Sequence, residues 1–181
     1  MDSVRGKLLV ASPALVDPHF LRTVVLIAAH DADGALGLVL NRPSTLVVGD
    51  VVAHLSETCD AFREVYVGGP VQPSAVLVLA EFNDRSLGSM MIDGDLGLPH
   101  VTLDPKQLAG GVRRARAFAG HAGWGPGQLD AELAEEAWII VDLDPEDPWI
   151  NPGDGLWSAV LNRKGGEYAL LARMPLDPSV N

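Results

Sequence analysis

The chain has a single cysteine, Cys59, among its 181 residues. One thiol excludes a disulfide within the chain and a zinc site built from several cysteines. No basic residue stands beside Cys59, which favours an unreactive free thiol. The five histidines also lack the His-x-x-x-His and His-Glu-x-x-His spacings of compact metal sites. We therefore expect neither a bound metal nor a cofactor.

Long apolar runs are missing as well. No stretch approaches the roughly 20 apolar residues that a membrane-spanning helix needs, and the first residues lack the architecture of a secretory signal. We expect a soluble, cytoplasmic protein with no membrane partner. With 48% hydrophobic residues, a chain of this length is expected to form one domain, residues 1–181, that buries roughly 70% of its unfolded surface.

Positive charge is scarce: 13 Lys and Arg stand against 24 Asp and Glu, a net charge of −11. From Asp130 to Asp154 there are nine acids and no Lys or Arg. Such a face repels phosphate backbones, so we expect no direct nucleic-acid binding. It either keeps the protein soluble, the favoured interpretation, or recruits a basic partner. Arg113, Arg114 and Arg116 form the dense basic group, which is too small for a nucleic-acid groove.

Short apolar runs predict a large β-sheet. The predicted strands are residues 8–11, 23–29, 36–40, 65–67, 76–80, 90–92, 101–103, 115–119, 138–143 and 168–172. Capping and periodicity predict helices at 49–55, 105–114, 126–136 and 155–163. Because strands and helices alternate irregularly, a mixed α+β fold is favoured over a doubly wound one.

The Asp33-Gly34 pair predicts the turn of a central hairpin. If these are the two turn residues, Leu26 lies opposite Asn41 and Val25 opposite Arg42. Both faces of this hairpin are apolar, so we expect it to be covered on both sides.

The same register predicts a candidate anion site, because it gathers Arg22, Asn41 and Arg42 at one rim. Two guanidinium groups and an amide there offer a fork of donors. An ion pair between Asp17 and Arg22 that only ties down the N-terminal loop is about equally favoured. His30 would lie roughly 13 Å from Asn41 along the strand, so these two cannot form a dyad.

A second candidate is the stretch Gly-His-Ala-Gly-Trp-Gly-Pro-Gly-Gln-Leu-Asp-Ala-Glu-Leu at residues 120–133. It predicts the end of a strand and the start of a helix, where free backbone N–H groups can hold an anion. The favoured alternative is structural, with glycines for tight geometry and Trp124 packed in the core. Gln128 and Glu132 lie one helical turn apart and either line a pocket or cap the helix.

This stretch resembles a signature of the YqgE/AlgH family of bacterial proteins, Gly-x-Ala/Ser-Gly-Trp-x-x-Gly-Gln-Leu followed by an acidic helix. Blocks at residues 6–13, 17–25 and 34–43, and Gly68-Gly69-Pro70-Val71, follow the family in the same order. The resemblance implies an α+β fold with a mixed, branched β-sheet and a small closed, barrel-like core surrounded by helices. Many members carry Cys-Glu where this chain has Ala28-Ala29, and an aromatic where it has His121, so a redox role for that cysteine does not transfer.

Two functions remain open. The favoured one is a non-enzymatic binding or regulatory module, an indirect regulator acting through protein or small-ligand contacts; regulation is what the family name implies. The alternative is an enzyme for a small anionic metabolite, with a site assembled on loops from Arg22, Asn41, Arg42, Gln128 or His121. The sequence specifies no catalytic residue, partner or oligomeric state. The candidate ligand-binding residues are Arg22, Asn41, Arg42, His30, Trp124 and Gln128.

Overall fold

The structure, a computed structural model, describes residues 2–52, 55, 58–59, 62–100, 102, 104–150 and 155–175. The strands within these residues are β1 (Lys7–Ala11), β2 (Val24–Asp31), β3 (Gly34–Val39), β4 (Pro43–Val47), β5 (Glu64–Val67), β6 (Val71–Phe82), β7 (Gly88–Asp93), β8 (Leu96–Pro99), β9 (Val112–Trp124) and β10 (Trp138–Asp142). The helices are α1 (Val48–Val51), α2 (Pro105–Gly111), α3 (Gln128–Ala134), α4 (Gly155–Lys164) and α5 (Tyr168–Leu171).

One curled, mainly antiparallel sheet organises the molecule, in the order β10-β1-β2-β3-β9-β6-β8-β7. The sheet branches at β9, which pairs antiparallel with β3 and β6 and parallel with β5. The mixed, branched sheet expected from the sequence is therefore present. The barrel is only half closed, because β10 and β7 end the strand order in the described part of the chain. The expectation that helices surround it is overstated, since the described helices are few and short, the longest having ten residues.

The meander β1–β2–β3 lies at the centre of the core and is buried on both faces, as predicted. One face packs against α4, where Trp157 donates its indole N–H to the carbonyl of Ala11 at 2.8 Å. The other face packs against Trp124 and Trp138. The meander residues on the α4 face are Leu8, Val10, Val24, Leu26, Leu38 and Leu40, and those on the tryptophan face are Leu9, Ala11, Val25, Ile27 and Val39.

The predicted register of the β2–β3 hairpin is wrong. Asp31 pairs with Gly34, so the turn residues are Ala32 and Asp33, and Leu26 lies opposite Leu38 rather than Asn41. A bulge between Ile27 and Ala29 shifts the pairing by one more residue. Leu38 therefore shares a face with Leu26, whereas the predicted register placed the two on opposite faces.

Local chemistry explains this turn. Asp31 accepts a hydrogen bond from the backbone N–H of Asp33 at 2.9 Å, an Asx turn that closes the loop one residue early. Gly34 starts β3 with φ +135°. A Cβ there would lie 2.2 Å from the carbonyl oxygen of Trp124, so the glycine is needed for contact with β9.

The predicted helices are found at their predicted positions, but their first or last residues differ from the prediction. Asp104 caps α2 in a capping box with Gln107, but the helix ends at Gly111 and β9 begins at Val112. Residues 168–172, predicted as a strand, form α5 instead. Strands β4 and β8 were not predicted, and residues 101 and 103 of another predicted strand lie outside the described residues. Among the described helices, none combines the length and apolar character needed to cross a bilayer.

Candidate functional site

The glycine-rich motif blocks meet at one place in the fold, which we call the glycine junction: Gly34, Gly68, Gly69 and Gly120. There β3 runs beside the end of β9, with Gly37 opposite Ala122. A Cβ on Gly69 would lie 2.4 Å from the carbonyl oxygen of His121, and one on Gly68 would lie 2.3 Å from that of Gly120. Side chains have no room where these backbones cross, so the motif glycines serve close packing.

Beside this junction, the tryptophan cluster consists of Phe20, Trp124, Trp138, Glu132 and Gln128. Glu132 Oε2 accepts the indole N–H groups of Trp124 and Trp138 at 2.9 and 2.8 Å. Its Oε1 accepts the amide of Gln128 at 2.9 Å, and Gln128 Oε1 in turn accepts the backbone N–H of Gly125 at 3.1 Å. The ring of Phe20 packs with its centre 6.2 Å from that of Trp124 and 5.5 Å from that of Trp138. Both candidate residues, Trp124 and Gln128, thus have internal partners.

His30 reaches the same end of the molecule. Its side chain is 6% exposed, and its Nδ1 accepts the backbone N–H of Val4 at 3.2 Å. Neutral His30 therefore carries its proton on Nε2, which lies 3.8 Å from Asp130 Oδ2. The structure thus brings His30 to the start of α3, with its ring held by the backbone of Val4.

His121 lies on β9, opposite Val71. Burial lowers the pKa of His121, which favours the neutral ring. Its Nδ1 is buried and has no hydrogen-bond partner in the described part of the protein. No described group of three or more His, Cys, Asp or Glu side chains is placed to hold a metal ion.

Arg22, Asn41 and Arg42 lie together at the predicted rim, but their side chains contact backbone groups of the protein. Asn41 is 1% exposed; its side chain accepts the N–H of Val24 at 2.9 Å and donates to the carbonyl of Arg22 at 2.8 Å. This bridge replaces the expected pairing of Leu26 with Asn41. Anion binding at this rim stays a prediction.

The two arginines of the rim also contact the protein itself. Arg22 stacks over the ring of Trp157 at 4.5 Å and donates to the carbonyl of Met174. Arg42 donates to the carbonyl of Leu21. Asp17, the alternative partner of Arg22, accepts the backbone N–H of His19 at 2.8 Å instead.

Arg116, one of the three residues of the dense basic group, is buried and only 2% exposed. The sequence pattern did not predict the burial of Arg116. Its guanidinium carbon lies 4.7 Å from the ring centre of Phe62 and 4.3 Å from that of Tyr66. It donates to the carbonyls of Trp149 and Ile150 at 3.3 Å, and burial lowers its pKa. The alternation Arg114-Ala115-Arg116 places both arginines on one face of a strand, but the aromatic partners come from distant segments.

Sequence reasoning also missed a groove of about 750 Å³ beside β10. It is lined by Trp138 and Ile140 of β10 and by Tyr168 and Leu171 of α5. Glu135, Glu136 and Glu167 are exposed at the groove, together with Lys164. We call this surface the β10 groove; its other lining residues are Ser12, Pro13, Ala14, Leu133, Ile139 and Met174.

Two polar groups of the β10 groove stand out. Lys164, its one amine, donates to the carbonyl of Ile140 at 2.7 Å. Ser12 is 8% exposed, and its hydroxyl has no hydrogen-bond partner among the residues that the structure describes. No simple motif marks the lining residues of the groove, which come from three separate stretches of the chain, 12–14, 133–140 and 164–174.

Three of the nine acids in the segment 130–154 form ion pairs with Lys or Arg among the described residues. Its ion pairs are Lys7–Asp142 (2.6 Å), Arg114–Glu146 (2.7 Å) and Arg163–Asp147 (2.6 Å). Hydrogen bonds from Lys7 and Arg114 lower the pKa values of Asp142 and Glu146. Glu135 and Glu136, beside the groove, are among the acids that have no such partner in the described part of the chain.

The curled sheet that forms a half-barrel, together with several helices, matches the fold of AlgH-like proteins. The chain belongs to the AlgH-like family, whose model matches residues 8–169. This assignment confirms the resemblance seen in the sequence.

Relatives match along nearly their whole length. The chain is 42% identical to a UPF0301 protein of Streptomyces coelicolor, covering 100% of this chain and 97% of the relative. It is 43% identical to one of Thermobifida fusca, covering 99% and 96%.

Two solved structures share the fold. A crystal structure of a Corynebacterium diphtheriae protein has a TM-score of 0.86 and 25% identity, over 95% of this chain and 93% of that one. The solution structure of AlgH from Pseudomonas aeruginosa has a TM-score of 0.74 and 30% identity, over 98% of both. None of these names states an activity.

Proposed function

We propose that this protein is a binding module that acts through contact with another protein, and that the β10 groove is the contact surface. The proposed occupant is a peptide segment with both basic and apolar side chains. The observation that carries the proposal is the combination, in one groove, of an apolar lining with three exposed carboxylates and a single amine.

The apolar lining supports binding of a peptide rather than of a small polar metabolite. Leu171 and Ile140 are half-buried, and Met174 is 43% exposed. Covering such side chains removes apolar surface from water, which favours formation of a complex. A segment with apolar side chains at intervals would cover them.

The charge of the groove supports a basic occupant. Glu135, Glu136 and Glu167 have no ion pair among the described residues, while Lys164 is already hydrogen-bonded to a backbone carbonyl. The net charge of −11 also attracts a basic partner over long range. Regulation through such a partner is indirect, because the protein itself then needs no contact with nucleic acid.

The binding proposal has more support than the enzyme alternative. Of the residues suggested for a catalytic site, Asn41 and Gln128 use their amide groups on internal partners. Groups held in this way are not free to bind a substrate without local rearrangement.

The test uses a short synthetic peptide that alternates lysine and valine, titrated into the full chain by calorimetry. Two comparison peptides replace every lysine by glutamate or every valine by serine. We expect binding of the lysine–valine peptide only, since both charge and apolar surface are required.

A matched pair of variants locates the site. Glu135→Gln, Glu136→Gln and Glu167→Gln together should weaken binding by about tenfold or more at low salt. The control, Asp33→Asn, Asp50→Asn and Asp93→Asn, removes three exposed charges outside the groove and should bind like the parent. Equal weakening in both variants would reject the groove, as would sedimentation data showing that a second copy of the chain occupies it.

A further inference from the structure

Lys164 occupies a position in the β10 groove that suits the cationic group of a partner. We propose that the carbonyl of Ile140 and the ring of Tyr168 form a cation subsite, which Lys164 fills in the free protein and a lysine or arginine of the bound peptide fills in the complex. Lys164 then competes with the cationic side chain of the peptide for this subsite, so that the groove favours basic segments. This inference rests on the proposed function.

The subsite has two defined contacts. The ammonium nitrogen of Lys164 lies 2.7 Å from the carbonyl oxygen of Ile140 and 4.9 Å from the centre of the Tyr168 ring. A carbonyl oxygen and the face of an aromatic ring both attract a cation. No carboxylate of the described residues forms an ion pair with Lys164, so these two contacts define its place.

The pairing of β10 explains why this carbonyl is available. The N–H of Ser12 donates to the carbonyl of Ala137, so odd-numbered residues of β10 face β1. The carbonyl of Ile140 therefore points to the outer side of β10, which ends the strand order. An outer carbonyl needs a donor from elsewhere, and any suitable cation can supply it.

The neighbouring arginine shows by contrast why Lys164 is the displaceable group. Arg163 donates to the carbonyl of Asp142 at 3.2 Å, but its guanidinium is also held by both carboxylate oxygens of Asp147 at 2.9 and 2.6 Å. Asp147 is 2% exposed, so that pair is fixed. Lys164 is exposed and lacks such an anchor.

The first experiment compares Lys164→Met with Lys106→Met in titrations of the lysine–valine peptide. Both changes remove one positive charge, and Lys106 is exposed on α2, outside the groove. Loss of the competitor should tighten binding about three- to thirtyfold in the Lys164 variant only, the range expected for one partly desolvated cation–π contact. Adding Tyr168→Leu should remove the gain.

A second measurement follows the side-chain ammonium signal of Lys164 by nitrogen-15 NMR in the parent protein. Addition of the peptide should move this signal to the position of a solvated lysine, whereas the signal of Lys106 should stay unchanged. If Lys164→Met does not fold, Lys164→Gln serves in the same titration.

The outcomes separate the subsite from the groove. If the parent binds the peptide but Lys164→Met gains no more than Lys106→Met, or the ammonium signal does not move, the subsite is wrong and the groove stands. If neither the parent nor Lys164→Met binds the peptide, the groove and the subsite are both rejected.

Discussion

The polar side chains at the two ends of α3 differ in whether they have partners inside the protein. At the N-terminal end, Gln128 is bonded to Glu132 one turn further along, and Glu132 in turn accepts the indole N–H groups of Trp124 and Trp138. At the other end, Glu135 is exposed beside the β10 groove. The end that carries the family signature is closed by internal contacts, and the end without a motif is open. The sequence motif therefore marks the region where the backbone is most constrained. The surface available to a partner is formed by residues that belong to no motif.

The strongest test of the closed end is Gly69→Ala. The added Cβ would lie 2.3 Å from the backbone nitrogen of Ala122, and Gly69 has φ +150°. Because backbone atoms cannot move aside, we expect a loss of about 4 kcal/mol or more, or failure to fold. Gly110→Ala is the control, since nothing lies within 4 Å of its Cβ. Denaturant unfolding that ranks the two variants equal would show that the junction tolerates side chains.

A large effect is also expected for Leu26→Ala in the layer between the two ends. Leu26 is fully buried in the face that packs against α4. Its truncation should cost about 2–5 kcal/mol, measured by the same unfolding curves. An unchanged midpoint would mean that the meander is not the centre of the core.

Glu132→Gln tests the tryptophan cluster directly. The substitution keeps the size of the side chain but removes its charge and replaces one acceptor oxygen by an NH2 donor. At least one of the three hydrogen bonds to Glu132 then loses its acceptor, so we expect a loss of about 1–3 kcal/mol. Trp124 and Trp138 should report the change by tryptophan fluorescence. Stability equal to that of the parent would show that neutral acceptors satisfy the indoles equally well.

The closed interior also predicts a pH dependence. Burial raises the pKa of the Cys59 thiol to about 11, from an ordinary value of 9.0. The folded state therefore keeps the thiol proton at pH values where the unfolded chain loses it. The contribution of the protonated thiol to the free energy of unfolding is fully present below pH 9.0 and is lost as pH rises towards 11. At pH 8 a thiol reagent should modify the folded protein about a hundredfold more slowly than the unfolded chain. Equal rates would contradict the burial of Cys59.

The smallest effect is expected for Glu135→Gln, the counterpart of Glu132→Gln at the open end. An exposed carboxylate without a partner contributes little, so stability should change by less than about 0.5 kcal/mol. A loss as large as that of Glu132→Gln would remove the distinction between the two ends of α3.

Much of the strand content follows from the sequence, because short runs of Val, Ile and Leu mark most strands of the sheet. The register does not follow, since the bulge beside Ala28 and the Asx turn at Asp31 depend on side-chain contacts that a pattern does not reveal. The run at residues 168–172 was misread because one turn of helix has too few residues to show its period.

The site was harder to predict than the fold. Arg22, Asn41 and Arg42 do lie together, yet the wrong register could not show that Asn41 bridges Arg22 and Val24. The β10 groove depends on how α5 lies beside β10, a contact between elements far apart in sequence. No local spacing carries that information.

The branching of the sheet at β9 has a consequence for synthesis on the ribosome. The meander β1–β2–β3 is made first, but its two outer strands are completed by β9 on one side and β10 on the other. Until both late strands emerge, the nascent chain carries a meander that is apolar on both faces and has two open edges. Such an intermediate is prone to pair with other chains. The protein should therefore depend on chaperones during translation more than its final stability suggests.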